Sequence, residues 1–148
     1  MSELRELYQE IILDHYKRPR NFCALDCPNH QAEGRNPLCG DHIKVYLRVA
    51  DGRVEEISFQ GGGCAICTAS SSLMTESVRG KTVAEAADLF EGFHHMLTGV
   101  ADETGVDLGK LRAFEGVREY PVRVKCATLA WHTLKAAMDG GAKPVTTE

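Results

Sequence analysis

The sequence predicts an α+β domain, in which one antiparallel hairpin is flanked by amphipathic helices. Ile43, Val45, Leu47 and Val49 alternate with His42, Lys44, Tyr46 and Arg48, and a second run from Val54 to Gln60 follows the turn signal Asp51-Gly52. Period-two patterning on both sides of a two-residue turn makes a hairpin with one buried face. On either side of it the apolar spacing changes to three and four residues, the helical period. At 148 residues with 43% hydrophobic content the chain can bury one core and is too short for two ordinary domains, so residues 1–148 read as a single domain.

In chain order, Leu4, Leu7, Tyr8, Ile11, Ile12 and His15 place an amphipathic helix over residues 3–17, closed by Arg18-Pro19. Such a helix packs on the domain or docks a partner. Residues 21–40 carry Asn, Pro, Gly and Cys without a period and read as irregular loop with one short strand at residues 32–36. After the hairpin, Gly61-Gly62-Gly63 gives a flexible joint, and Ile66, Ala69, Leu73, Met74 and Ser77 mark a helix that stops at Gly80. Thr82 with Glu85 forms a capping-box signature for a helix through about Glu91, and residues 93–115 suggest further helix broken near residues 105–107. A loop containing Gly116 and Pro121 leads to a last helix bearing Leu129, Ala130, Leu134, Ala137 and Met138, ended by Gly140-Gly141. The tail, residues 143–148, is expected to be mobile. There is no internal repeat.

Charge narrows the function. With 21 acidic against 17 basic residues and no long run of either sign, the chain lacks the electrostatic footprint of a nucleic-acid binder. Charges interrupt the N-terminal segment where a signal peptide needs an apolar stretch, and no segment reaches the length of a membrane span, so a cytoplasmic location is expected. In a reducing compartment six cysteines point to metal or thiol chemistry rather than to disulfides.

Cys39 precedes the hairpin, Cys64 lies between hairpin and helix, and Cys126 is read at the start of the final helix; such junctions can converge at one end of a small sheet. A helix N-terminus favours the thiolate, which is expected to help Cys64 and Cys126, and Arg123 and Lys125 add positive charge beside Cys126. Asp41, two residues from Cys39 across Gly40, offers a carboxylate on the same tight loop. Three thiolates and a carboxylate suit a tetrahedral zinc site, and the harder oxygen donor is the easier one to exchange. Taken alone, these residues leave two readings open, a metal site or inert buried thiols.

The segments around them add a resemblance. Asn36-Pro37-Leu38-Cys39-Gly40-Asp41, then Gly63-Cys64-Ala65-Ile66 with Ala69-Ser70-Ser71-Ser72, then Arg123-Val124-Lys125-Cys126-Ala127-Thr128-Leu129-Ala130-Trp131 resemble the three motifs of the IscU/SufU/NifU-N family of iron-sulfur cluster assembly proteins. Their order and spacing agree from Leu4 to Met138. IscU-type scaffolds usually carry a histidine before the third cysteine, where this chain has Lys125; that, and the long segment from Glu91 to Tyr120, resemble the SufU branch. The resemblance implies a compact α+β fold, a SufE/NifU-like small antiparallel sheet of about three strands covered on one side by helices. It further implies zinc held by Cys39, Asp41, Cys64 and Cys126, and persulfide sulfur received from a SufS-type cysteine desulfurase. Cys39 would be the sulfur acceptor, displaced from zinc by a partner side chain, with Arg123 a partner contact. A downstream iron-sulfur carrier or SufBCD-type scaffold would follow. IscU-like members instead assemble a transient 2Fe-2S cluster on Cys39, Cys64 and Cys126 and hand it on, which makes a non-catalytic scaffold the alternative to a zinc-dependent sulfurtransferase. A purely structural zinc module leaves Asp41 and the loop position of Cys39 unexplained.

Other residues read more plainly. Cys67 makes Cys64-Ala65-Ile66-Cys67 a formal C-x-x-C pair, departs from the serine usual in the family, and is expected to be a helix-buried thiol, with a disulfide partner or auxiliary ligand as the minority reading. Cys23, Cys27 and His30 lack a fourth ligand and read as loop residues. His42 falls on the polar face of the hairpin, His94-His95 on solvated helix positions, and His15 and Tyr16 on or near the apolar face of the first helix. Trp131 and Met138 supply core or interface surface, and the serines after Cys64 permit close helix packing.

Overall fold

The structure is a computed structural model that describes residues 2–100, 105–140 and 144–146. The hairpin forms as its alternation requires. Strands β2 (Asp41–Ala50) and β3 (Arg53–Gly62) pair antiparallel with Val45 opposite Phe59 and Leu47 opposite Ile57, and all four side chains are buried on one face. On the other face Tyr46 donates its hydroxyl to Gln60 at 2.6 Å, and Lys44 lies over its ring. Strand β1 (His30–Asn36) pairs antiparallel with the free side of β2, longer by two residues than the strand expected from the loop sequence.

The tail departs from expectation. Val145–Thr146 forms a two-residue strand, β4, parallel to Gly34 and Arg35 of β1, so the sheet has four strands in the order β3-β2-β1-β4 rather than about three. That part of the tail is tied to the sheet edge through backbone hydrogen bonds, which a search for hydrophobic period does not detect. Residues 143, 147 and 148 lie outside the described residues.

Helix α1 (Ser2–Lys17) packs on α2 (Ala65–Val78) through its C-terminal half. His15 is the polar centre of that contact, with Nδ1 at 2.7 Å from Ser72 Oγ and Nε2 at 3.5 Å from Glu76. Ile11 and Ile12 pack on the core, whereas Leu4, Leu7 and Tyr16 are exposed, so the apolar stripe is only partly covered. The Thr82–Glu85 capping box forms in both directions and opens α3 (Val83–Thr98). This helix runs past Glu91 without a break, because Gly92 is buried inside it and a single glycine weakens a packed helix without ending it. His94 and His95 are correspondingly half-buried rather than solvated, with His94 stacked on Phe90 and edge-on to His132. Residues 109–119 are a 3-10 helix (Gly109–Glu119), in which Gly116 lies, and helix α4 (Pro121–Met138) follows at once.

Phe93, Phe114 and Trp131 meet beneath α3, with the Phe93 and Trp131 rings stacked at 4.9 Å and Phe114 edge-on to Phe93. Burying side chains of this size contributes about 1.5–3 kcal/mol each. Helix α4 lies across β1 and β2 at close range. A Cβ on Gly34 would overlap Thr133 Oγ1 and come within 3.0 Å of Leu129 Cδ1. That approach brings the first half of α4 to the end of β1, where the cysteine motifs meet.

Candidate metal centre

The loop between β1 and β2 is a tight turn: Cys39 N–H donates to Asn36 O and Gly40 N–H to Pro37 O, and Gly40 takes φ +69°, where a side chain is strained. The turn leaves Cys39 half-exposed and drops Asp41 into the interior, 2% exposed. Cys126, fully buried on α4, reaches the same point from the opposite side. One donor atom each from Cys39, Asp41 and Cys126 lie within 4.8 Å of one another, the single such group among the described residues.

Cys64 adjoins this group without belonging to it. It is the N-cap of α2, its backbone N–H donates to Asp41 Oδ1 at 2.9 Å, and its Sγ is turned over the first helical turn, 3.5 Å from the Cys67 N–H. The glycine joint makes this possible: a Cβ on Gly63 would overlap Asp41 Oδ1 and lie 2.8 Å from Asp41 Cα. The Arg123 guanidinium stands beside the sulfurs. Cys64, through its charge and a hydrogen bond, and then Cys126 raise the Arg123 pKa above its ordinary value. Ile66, Val117, Tyr120 and Arg123 line an apolar hollow of about 290 Å³ next to it.

The position expected for Cys126 needs correcting. Pro121 opens α4, so Cys126 lies more than a turn inside the helix and outside the reach of its N-terminal dipole. Burial comes first among the causes that push its thiol pKa well up, followed by hydrogen bonds with Asp41, Cys39 and Cys64. The protonated thiol is thus favoured in the metal-free protein, the reverse of the expected activation. Lys125 is half-buried on the same turn of α4.

Sequence reasoning gave Asn36 no role, yet it is fully buried and its Nδ2 reaches both Asp41 Oδ2 at 3.4 Å and Cys126 Sγ at 3.5 Å. It is a positioning residue that donates to two acceptor atoms at once, while its own Oδ1 is buried without a partner. The Asn-Pro pair ahead of Cys39 was the available signal. Ser70, also fully buried, donates to Ala127 O at 2.6 Å and ties α2 to α4 just beneath the site, in keeping with the close packing expected of the serines. Cys67 is fully buried as expected, and Cys23 and Cys27 are exposed loop residues.

The donor set fits zinc. Tetrahedral Zn–S and Zn–O bonds of roughly 2.0–2.3 Å separate donors by about 3.3–3.8 Å, which the 4.8 Å group accommodates. A buried thiol and a buried carboxylate pressed together are also a costly arrangement that a cation relieves, because coordination deprotonates the thiol outright.

The sequence profile of the NifU-like N terminal domain family matches residues 7–127. The chain is 38% identical over 143 residues to the zinc-dependent sulfurtransferase SufU of Bacillus subtilis, covering 95% of this chain and 97% of that one. It is 40% identical over 138 residues to the iron-sulfur cluster assembly scaffold protein IscU of Streptococcus pyogenes, covering 93% and 86%. A crystal structure of a SufU from Fervidobacterium islandicum AW-1 superposes with a TM-score of 0.84 at 34% identity, over 90% of this chain and 98% of that one. With three motifs meeting at one end of the sheet and these matches spanning nearly its whole length, the chain belongs to the NifU-like N-terminal domain family and is an iron-sulfur cluster assembly protein of the IscU/SufU type.

Proposed function

We propose that this protein is a zinc-dependent sulfur acceptor that takes persulfide sulfur from a SufS-type cysteine desulfurase onto Cys39 and passes it to a downstream carrier or SufBCD-type scaffold. The observation that carries this reading is the gradient of exposure across the donor group: Cys39 is half-exposed on a loop, while Asp41 and Cys126 beside it are buried. A site that only braces the fold has no reason to leave a thiol reachable on a loop. The SufU of Bacillus subtilis, named for zinc-dependent sulfur transfer, supports the same assignment.

Cys39, Asp41, Cys64 and Cys126 would hold the zinc ion, which when bound keeps its thiol donors deprotonated at neutral pH. In the transfer itself, Cys39 Sγ attacks the terminal sulfur of the desulfurase persulfide. A new S–S bond forms on Cys39, the old one breaks, and the desulfurase cysteine leaves as its thiolate. Asn36 orients Asp41 and Cys126 by its paired hydrogen bonds. The exposed Arg123 guanidinium, already beside the sulfurs, faces an approaching anionic persulfide, and the apolar hollow next to it offers a seat for a partner side chain.

The IscU-like alternative, in which Cys39, Cys64 and Cys126 receive a 2Fe-2S cluster as cargo, draws on the Streptococcus pyogenes scaffold. One experiment separates the two. Protein purified without added metal is analysed for metal content and assayed for stimulation of a cysteine desulfurase. Near-stoichiometric zinc, with stimulation lost in Cys39→Ala and reduced at least tenfold in Arg123→Ala while zinc is retained, is the expected result. Iron and sulfide that transfer to an apo-acceptor, with no stimulation of the desulfurase, would overturn sulfur acceptance.

A further inference from the structure

Cys67 is the buried cysteine that the proposed chemistry does not use. It sits at the third position of α2 with Cys64 as the N-cap, so the C-x-x-C pair spans the first turn of a helix. Cys64 has extended backbone angles, φ −73° and ψ 165°, which fold its side chain back over that turn, and its Sγ lies 3.5 Å from the Cys67 backbone N. That nitrogen is two bonds from the Cys67 Cβ. The spacing of an N-cap and the third helical residue falls within the roughly 4.4–6.8 Å Cα separation that a disulfide bridges. Cys67 points inward and is fully buried, and Ser71 donates its hydroxyl to the Cys67 carbonyl at 2.8 Å. Burial, followed by the nearby charges of Asp41 and Cys64, raises the Cys67 pKa well above its ordinary value. A half-exposed first cysteine backed by a buried second one is the division of labour of a redox C-x-x-C pair.

We propose that Cys64 and Cys67 form a reversible disulfide across the first turn of α2 when the site is metal-free, with a low-molecular-weight disulfide as the oxidant. The Cys64 thiolate attacks one sulfur of the oxidant, forming a mixed disulfide and releasing one thiolate. Cys67 then gives up its proton and its thiolate attacks the Cys64 sulfur: the Cys64–Cys67 bond forms, and the second thiolate leaves and takes up that proton. Two electrons pass from the cysteine pair to the oxidant, which leaves as two thiols. The second step is intramolecular, so burial of Cys67 is no obstacle, and Gly61, Gly62 and Gly63 lead directly into the turn that must adjust. The disulfide removes Cys64 from the donor set, so oxidation and metal loading exclude each other; this consequence rests on Cys64 being a ligand, whereas the disulfide itself does not.

The test uses the full chain, stripped of metal, reduced, desalted and treated with oxidised glutathione. Trypsin releases residues 54–79 as one peptide with Cys64 and Cys67 as its only cysteines. After alkylation and non-reducing digestion, this peptide is expected to lose two hydrogens and accept no alkyl group, and dithiothreitol is expected to restore both sites. Cys67→Ala should hold glutathione on Cys64 instead. A wild-type peptide that keeps glutathione on Cys64 with Cys67 alkylatable, or that is cross-linked to another cysteine peptide, would overturn the proposal. Prior saturation with zinc should slow disulfide formation at least tenfold. Equal rates with and without zinc would overturn the link to metal loading and the ligand role of Cys64, while leaving the disulfide standing.

Discussion

Replacing Gly63 by alanine tests whether the glycine joint exists to let Asp41 and Cys64 share one point. The new Cβ would overlap Asp41 Oδ1 and lie 2.8 Å from Asp41 Cα, and neither atom can yield cheaply. Asp41 is buried, and Oδ1 is held by the Cys64 N–H at 2.9 Å. Overpacking of this kind costs about 1–3 kcal/mol, an L side chain at φ +153° costs about 1–3 kcal/mol, and a partly buried N–H left without its acceptor costs about 1 kcal/mol, the low end for a buried one. The first and third arise from one displacement of Asp41 and do not add in full, so about 3–5 kcal/mol is expected. Gly62→Ala is the control, because its φ is nearly the same, +158°, while its Cβ meets only Thr68 Oγ1 at 3.3 Å. Denaturant unfolding of the metal-free variants gives the difference attributable to the carboxylate, and chelator competition gives zinc affinity. Gly63→Ala should fall about 2 kcal/mol below Gly62→Ala and bind zinc at least tenfold more weakly. Equal stability of the two variants, with unchanged zinc affinity, would refute the claim that Gly63 makes room for the ligand set.

Two further outcomes follow from the core. Burial lowers the His15 pKa, with Arg20 and Lys110 acting in the same direction and Glu76 and Asp14 opposing them. The unfolded chain therefore binds a proton that the native one refuses, and stability is present above about pH 6.5 and lost as pH falls through the depressed native value. Denaturant midpoints measured from pH 7.5 to 5 should fall less steeply in His15→Gln than in wild type; parallel curves would show that His15 does not carry the slope. Trp131 is fully buried against Phe93, but its Nε1 has no hydrogen-bond partner. Trp131→Ala should cost about 3–5 kcal/mol, whereas Trp131→Phe, which also deletes the unpaired N–H, should cost less than about 1.5 kcal/mol in calorimetric or denaturant unfolding. A Phe variant as unstable as the Ala variant would contradict this.

The hairpin and the first two motifs were legible because their signals are local: strict alternation for β2 and β3, a glycine run ahead of an N-cap cysteine for α2. Cys126 was placed a turn too early because Pro121 reads equally as a loop residue and as the first residue of a helix, and here it is the latter. Asn36 was unreadable as a positioning residue for a different reason. Its reach to Cys126 depends on α4 lying close enough to β1 to exclude any side chain at Gly34, a contact between residues 90 positions apart in sequence. β4 was missed on similar grounds, since two residues carry no periodicity and their pairing with Gly34 and Arg35 is non-local.

The same burial that obscured Asn36 also discriminates among the three thiols of the proposed site. Cys126 is sealed under α4 with its proton held by burial, which suits a ligand anchored once and not an acceptor that must meet a partner. Cys64 is half-exposed, but its sulfur is committed to the first turn of α2 and its backbone to Asp41. Cys39 alone sits on a connection with no helix or strand of its own, between the exposed Leu38 and Gly40, so it can move without breaking the sheet or either helix. The proposed sulfur transfer needs one thiol that travels and neighbours that stay fixed, and the fold offers that inequality by drawing the candidate ligands from a loop, an N-cap and a helix interior.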